Sequence, residues 1–285
     1  MRVLVLGASG MLGNAVLRLF ASNGEHDTWG TVRSDASFRY FPGQLASKLI
    51  PDVDVLNQAR LLDVFAQVRP EVVINCVGII KQLENANDPL AVLPVNTLLP
   101  HQLAKLCDVA EARLIHISTD CVFSGNKGRY TESDCADARD LYGKSKYIGE
   151  LHDYAHAITL RTSIIGHELN SNYALLEWFL SQHDRVKGYT RAIFSGLPTV
   201  ELAKVMHDWV LPRPELCGLY HVSSDPISKY ELLKLVSRVY GKDIIIQPDD
   251  EIVIDRSLDS SRFKDVSGYQ PPNWSELVSS MHRAR

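Results

Sequence analysis

The stretch "VLVLGASGMLGNAVLRLF", Val3 to Phe20, constrains the fold more than any other part of the chain. Arg2 to Leu6 is a β-branched and leucine run with almost no polarity. That composition suits a strand buried on both faces of a parallel sheet. Gly7, Gly10 and Gly13 follow, with Ser9 between them. Apolar residues then recur at helical spacing at Met11, Leu12, Ala15, Val16, Leu19 and Phe20. A turn this tight needs glycine at position 7, where a side chain would forbid the backbone angles. Gly10 lets a ligand approach the backbone, and Gly13 lets the helix lie close to the strand. The helix N-terminus offers free N–H groups and a positive dipole end to a pyrophosphate. The competing reading is a plain strand–turn–helix. The context, directly after a strand and opening a helix, favours the phosphate site.

Buried-strand patterns recur at Val3–Leu6, His26–Val32, Val72–Val77, Leu114–Ile117, Ala157–Arg161 and Leu219–Val222. Helical patterns at Leu56–Gln67 and Thr97–Ala110 lie between them. Strands alternating with helices predict an α/β fold, a doubly wound parallel sheet of the Rossmann type with right-handed crossovers. After Gly166 the pattern is less regular. Tyr173–Leu180, Val200–Val210 and Tyr230–Tyr240 read as helices, and Ile244–Pro248 as a short strand. "QPPNW" (Gln270–Trp274) reads as a turn into a last short helix. The expected division is a dinucleotide-binding domain over 1–165 and a smaller α/β substrate-binding domain over 166–285. The segment from about 195 to 223 returns to the first.

The net charge of −4 gives no electrostatic footprint for nucleic acid or an acidic membrane. No apolar stretch reaches transmembrane length, and the N-terminus lacks a signal-peptide profile. Five cysteines without C-x-x-C spacing suggest a reducing cytoplasm and no structural metal site. His152 and His156 have H-x-x-x-H spacing and are read as lying on the helix that carries Lys146. No third ligand accompanies them, so a zinc site is not assigned. Trp178 and Trp209 are read as core or oligomer contacts.

The residues that carry chemistry follow the fourth strand of the cofactor domain. "IHISTDCVFSG" (Ile115–Gly125) places Ser118 and Thr119 at the carboxyl end of a parallel strand, where ligands of open α/β sheets bind. "YGKSKYIGE" then sets Tyr142 and Lys146 four apart, on one helix face. An ammonium beside a phenol favours the phenolate and draws its pKa down from about 10. Such a tyrosine can give a proton to a carbonyl oxygen as hydride reaches the carbon. Thr119 or Ser118 can hydrogen-bond the same oxygen.

With these motifs together, the chain resembles the extended short-chain dehydrogenase/reductase family, and within it the dTDP-4-dehydrorhamnose reductases. The resemblance rests on "STDCVFSG", "YGKSKYIGE", "INCVG" (Ile74–Gly78), Val95-Asn96, "RTSIIG" (Arg161–Gly166), "GLPT" (Gly196–Thr199) and "RSLDSSR" (Arg256–Arg262). It implies reduction of the 4-keto group of a nucleotide-linked 6-deoxysugar by NADPH, with NADH as the alternative. It also implies a role in dTDP-rhamnose and polysaccharide biosynthesis. Thr119, Tyr142 and Lys146 are then catalytic. The expected cofactor contacts are Gly7, Ser9, Gly10, Met11, Leu12, Gly13, Arg33, Asp54, Val55, Cys76, Val77, Gly78, Asn96, Tyr142 and Lys146. Arg33 stands where an NAD-preferring domain puts an acidic residue, and it can pair with a 2′-phosphate. Its other reading is an exposed loop arginine. Asp54-Val55 matches an adenine-contacting pair, or a surface loop.

Lys81, Ser118, Thr119, Asp120, Cys121 and Ile164 are the expected substrate contacts. Cys121 and Ile164 depart from the aromatics common in the family, which leaves room for a UDP-linked 4-keto sugar. A 4-epimerase holding NAD tightly and a non-catalytic NADP-binding regulatory subunit are the rival readings. A 4,6-dehydratase is disfavoured, because Cys121 replaces the acid that would eliminate water. A homodimer is left open, and no metal is expected.

Overall fold

The computed structural model describes residues 1–22, 24–83 and 85–285. Strands β1 (Arg2–Leu6), β2 (Asp27–Thr31), β3 (Leu49–Ile50), β4 (Val72–Asn75), β5 (Arg113–Thr119) and β6 (Ala157–Thr162) join the later strand Gly218–His221 in one sheet. The sheet is parallel throughout, in the order Gly218–His221, β6, β5, β4, β1, β2, β3. The reversal at β1 is the Rossmann order, and it opens a crevice above the carboxyl ends of β1 and β4.

Helices α1 (Met11–Ser22), α2 (Gln58–Val68), α3 (Pro89–Leu93), α4 (Leu99–Val109) and α5 (Leu141–Ile148) serve this sheet. Strand alternation explains why both faces are covered. Val3 and Val5 share a core with Val16 and Phe20 of α1 and with Leu202 and Met206. Leu4 and Leu6 turn the other way, onto Leu61 and Val64 of α2 and Leu103 and Cys107 of α4. Further on come α6 (Leu175–Ser181), α7 (Thr199–Lys204) and α8 (Lys229–Tyr240). The segment from α7 to Gly218–His221 packs on α1 and re-enters the sheet. A separate core holds Leu176, Phe179, Val186, Phe194, Leu232, Leu233 and Val236. It lies between α6, α8 and short strands such as the parallel pair Arg185–Tyr189 and Ile245–Asp249.

Three local expectations change. β3 was not read from the sequence, because two residues directly after a 3₁₀ turn carry no alternation. The helix expected over Val200–Val210 is α7 followed by a π-helical turn over Val205–Val210, and a second π-turn, Pro94–Leu98, precedes α4. The helix carrying Lys146 ends at Ile148, where Gly149 caps it and its N–H donates to Ser145 O at 3.1 Å. A Cβ at Gly149 would lie 2.1 Å from the Asn96 carbonyl oxygen, so no side chain fits at this helix end. His152 and His156 therefore lie beyond the helix. They face different partners, Glu150 and Ala104 O respectively.

Beneath the carboxyl ends of β5 and β6 runs a buried polar chain. Arg161 of β6 grips Glu150 with Nε to Oε1 at 2.9 Å and Nη2 to Oε2 at 2.5 Å. Ser118 donates to Glu150 Oε1 at 2.6 Å. Arg161 Nη1 lies 2.9 Å from His221 Nε2, and His221 Nδ1 lies 3.0 Å from the Tyr130 carbonyl oxygen. A carbonyl only accepts, so Nδ1 carries the proton and Nε2 accepts from Arg161. Burial, and then the Arg161 charge, pull the His221 pKa down to about 3, so the ring stays neutral. Glu150 and Arg161 are 3% and 2% exposed, so removing either partner strands a buried charge. Glu150→Ala is expected to cost about 3–5 kcal/mol in urea unfolding. A loss below about 1 kcal/mol, the value of an exposed ion pair, would show that the pair does not anchor the sheet.

Candidate active site

The glycine turn has the geometry that the sequence anticipates. Gly7 has φ of +78°. A Cβ at Gly13 would lie 2.1 Å from the Gly7 carbonyl oxygen, so no side chain fits between α1 and the end of β1. Ser9 and Gly10 sit on the turn, and Met11, Leu12 and Gly13 open α1, whose first N–H groups have no partner within the helix. The residues present thus fit a dinucleotide phosphate.

Arg33 is exposed just past β2 and makes no ion pair among the described residues. Asp54 is exposed and accepts from Leu56 N at 3.0 Å, a local turn bond that occupies one carboxylate oxygen. Val55 beside it is buried. Cys76, Val77 and Gly78 follow β4 as a partly exposed turn. Burial pushes the Cys76 thiol up to about 12, so it is neutral. Asn96, read from sequence as a cofactor contact, is 1% exposed. Its Oδ1 accepts from Ile79 N at 2.8 Å, and its Nδ2 donates to Ile79 O and to Ser145 Oγ at 2.9 and 3.3 Å. The amide clamps the 76–79 turn to α5, so it shapes the site from behind.

Helix α5 places Tyr142 and Lys146. Asp140 caps it by accepting from Gly143 N at 2.8 Å. Lys81 pairs with the same Asp140 at 2.7 Å and lies 5.4 Å from the centre of the Tyr142 ring. Lys146 is buried and donates from Nζ to the Ile117 carbonyl of β5 at 2.6 Å. Burial lowers its pKa to about 8 against the opposing pull of Glu150. Tyr142 departs from expectation. Burial raises its pKa well above the ordinary phenol value, and Cys121, Asp120 and Asp140 add to the rise. A hydrogen bond to the Thr119 side chain acts the other way and is too weak to reverse it. The phenol therefore carries its proton at neutral pH.

Ser118 and Thr119 separate, as neighbours on a strand must. Ser118 turns into the buried chain and is held by Glu150, which leaves Thr119 to face Tyr142. Thr119 Oγ1 donates to Asp120 Oδ1 at 3.2 Å and accepts from Cys121 N at 3.1 Å. Asp120 is buried, and desolvation raises its pKa against the pull of Arg256. Burial and Asp120 push the Cys121 thiol up to about 11. Ile164 is half-buried against the sheet core.

Sequence reasoning missed two residues. Arg256 donates from Nε to Phe123 O at 2.7 Å, and its Nη1 lies 3.9 Å from Cys121 Sγ. It brings a positive charge from the C-terminal segment to the rim of the site. The "RSLDSSR" motif was the available signal. Glu150 was visible as the last residue of "YGKSKYIGE" but had no assigned role.

A family model described as the RmlD substrate binding domain matches residues 1–284. The dTDP-4-dehydrorhamnose reductase of Aggregatibacter actinomycetemcomitans is 24% identical, over 97% of each chain. Methionine adenosyltransferase 2 subunit beta of Xenopus tropicalis is 29% identical, over 81% of this chain and 70% of that one. The crystal structure of dTDP-4-dehydrorhamnose reductase from Bacillus anthracis str. Ames in complex with NADP superposes with a TM-score of 0.81. It covers 100% of this chain and 98% of that one at 19% identity, a likeness of fold. With a match from end to end and a glycine turn, Thr119, Tyr142 and Lys146 around one crevice, the chain belongs to the RmlD substrate binding domain family.

Proposed function

We propose that this protein is an NADPH-dependent reductase of the 4-keto group of a nucleotide-linked 6-deoxysugar, working in dTDP-rhamnose and cell-surface polysaccharide biosynthesis. The observation that carries the reading is the meeting of Thr119, Tyr142 and Lys146 above the end of β5, beside a glycine turn that fits a dinucleotide. The reading is supported by the family and by the names of its relatives. It divides the chain into a cofactor part over 1–165, with 195–223 returning to it, and a substrate part over 166–285. No helix among the described residues is long and apolar enough to cross a membrane. The reading is of a cytoplasmic enzyme, as a monomer or a homodimer.

The roles in this reading combine the positions described above with what the family implies. Gly7, Ser9, Gly10, Met11, Leu12 and Gly13 hold the pyrophosphate. Arg33 holds the 2′-phosphate, and Asp54, Val55, Cys76, Val77 and Gly78 border the adenosine half and the turn beside it. NADPH supplies the hydride when bound. Thr119, turning its one hydroxyl proton from Asp120 Oδ1 to the ketone oxygen, orients it. Tyr142, whose proton is held tightly by burial, delivers that proton to the same oxygen as negative charge develops there. One hydride to carbon and one proton to oxygen balance ketone to alcohol. Lys146 holds the ribose and supports the phenolate as it forms. Lys81, Asp120, Cys121 and Ile164 line the sugar side.

The test is absorbance loss with NADPH and a panel of dTDP- and UDP-linked 4-keto sugars. A 4-epimerase would interconvert sugars without net absorbance loss, and a regulatory subunit would bind NADPH and turn nothing over.

Tyr142→Phe should lower turnover by about 10²–10⁴-fold, the span of general acid catalysis, with NADPH affinity nearly intact. Wild-type turnover in that variant would remove Tyr142 from the mechanism. The preference for NADPH should reverse in Arg33→Asp, since a hydrogen bond to a charged group contributes about 1.5–3 kcal/mol. Equal wild-type affinity for both cofactors would return Arg33 to an ordinary surface residue. The pH dependence has a definite sign. Lys146 acts while protonated, and its pKa is lowered to about 8, so kcat/KM should fall as pH rises through that value. Tyr142, shifted upward, contributes no limb there. A flat profile up to pH 10, near the ordinary lysine value, would contradict the assignment.

A further inference from the structure

Far from this crevice, the loop before β2 and the π-turn after α7 bring together Glu25, His26 and His207. β2 runs parallel to β1, with Asp27 beside Arg2, so its start lies at the edge of the sheet opposite the glycine turn. One donor atom from each of Glu25, His26 and His207 lies within 4.8 Å of the others. Nδ1 of His26 and Nε2 of His207 are buried atoms with no hydrogen-bond partner. Buried polar atoms are nearly always satisfied, so two unsatisfied imidazole nitrogens in one cluster call for a reason.

The surroundings supply one. His207 Nδ1 lies 2.6 Å from Asp208 Oδ1, so the proton on Nδ1 is donated to that carboxylate. Its other nitrogen, Nε2, lies 3.5 Å from Glu25 Oε2. A carboxylate behind a histidine in this way fixes the tautomer of a metal ligand and raises its basicity. Phe20 backs both rings, edge-on to His207 at 5.1 Å and tilted to His26 at 5.9 Å between centroids. The two imidazoles are 5.2 Å apart.

We propose that Glu25, His26 and His207 bind a divalent transition-metal ion of the zinc class, which clasps the loop before β2 to the π-turn over Val205–Val210. Two imidazoles and a carboxylate suit Zn²⁺, whereas Mg²⁺ and Ca²⁺ favour oxygen ligands. Zinc bonds of about 2.0–2.1 Å bring tetrahedral donors to about 3.4 Å from one another. The donors, within 4.8 Å of one another, close to that spacing by small side-chain shifts, and the Glu25 side chain, 60% exposed, has room to move. The fourth position is left for water. No residue of the reductase crevice takes part, so the metal is structural. The three ligands are far apart in sequence, so no local motif announces them.

The experiment uses the full chain, stripped with a chelator and titrated calorimetrically with Zn²⁺, with Co²⁺ as a visible-absorption probe and thermal unfolding as a second readout. The expected result is a single Zn²⁺ per chain, a raised Tm, and a Co²⁺ spectrum of tetrahedral type. His26→Gln and His207→Ala should each abolish these signals. Glu25→Gln should weaken Zn²⁺ binding at least tenfold. NADPH binding should be unchanged in all three, which shows that they are folded. No Zn²⁺ uptake by the wild type, or uptake unchanged in His26→Gln and His207→Ala, would overturn the proposal.

Discussion

The buried Glu150–Arg161 pair is the interaction on which the rest of the structure depends. A carboxylate and a guanidinium taken out of water are tolerated only when their remaining donors and acceptors are satisfied. Here Ser118 and His221 complete the set, and the Arg161 guanidinium also lies 4.9 Å from the centre of the Phe123 ring. Each partner comes from a different place: Ser118 from β5, Glu150 from the exit of α5, Arg161 from β6, and His221 from the strand that returns late in the chain. The geometry is satisfied only when all four elements are in register. This polar chain therefore fixes where α5 ends relative to β5, and so where Tyr142 stands relative to Thr119. The Glu150 charge also reaches Lys146, raising a pKa that burial lowers.

The same chain decides which hydroxyl faces the crevice. Ser118 and Thr119 are chemically near equivalents in sequence, and both were eligible to hold a ketone oxygen. A strand sends successive side chains to opposite faces, and Glu150 occupies one face. Thr119 is left for the other. Asn96 works in a comparable way from the far side of α5. Its amide satisfies both backbone groups of Ile79, and Thr97 donates to the Ser145 carbonyl at 2.9 Å. The active-site helix is thus held by buried polar contacts at its back and carries its chemistry on the front.

Much of this was legible in the sequence where the signal is local. The alternation of strands and helices, the glycine turn and the Tyr142–Lys146 spacing depend on periods that a short window contains. What was not legible depends on distance. The fate of Ser118 turns on Glu150, 32 residues later. The burial of Asn96 turns on Ile79 and Ser145. The direction of the Tyr142 shift was misjudged for the same reason. Spacing shows that an ammonium is near but not how much desolvation opposes it, nor that Lys146 is directed to the Ile117 carbonyl. The helix was extended through His156 because the H-x-x-x-H spacing was weighted above Gly149, a local stop signal where the helix in fact ends. Glu25, His26 and His207 meet only when α7 packs on α1.

The loop after β5 shows how the C-terminal segment is joined to the sheet. Tyr130 N donates to Ser257 O at 2.8 Å, and Asp259 N donates to Tyr130 O at 2.7 Å, forming a single parallel bridge. Ser223 Oγ reaches Leu258 O at 3.0 Å, so the same segment is tied to the end of the returning strand. Tyr130 stacks on Phe123 at 4.1 Å, and Arg256 donates to the Phe123 carbonyl. The Tyr130 carbonyl also accepts from His221, the last member of the buried polar chain. One residue thus connects the anchor beneath the sheet to the segment that delivers Arg256 to the rim. Chemistry at Tyr142 and charge at Arg256 come from parts of the chain far apart in sequence. Their relative position is set by backbone hydrogen bonds, which tolerate less variation than contacts between flexible side chains.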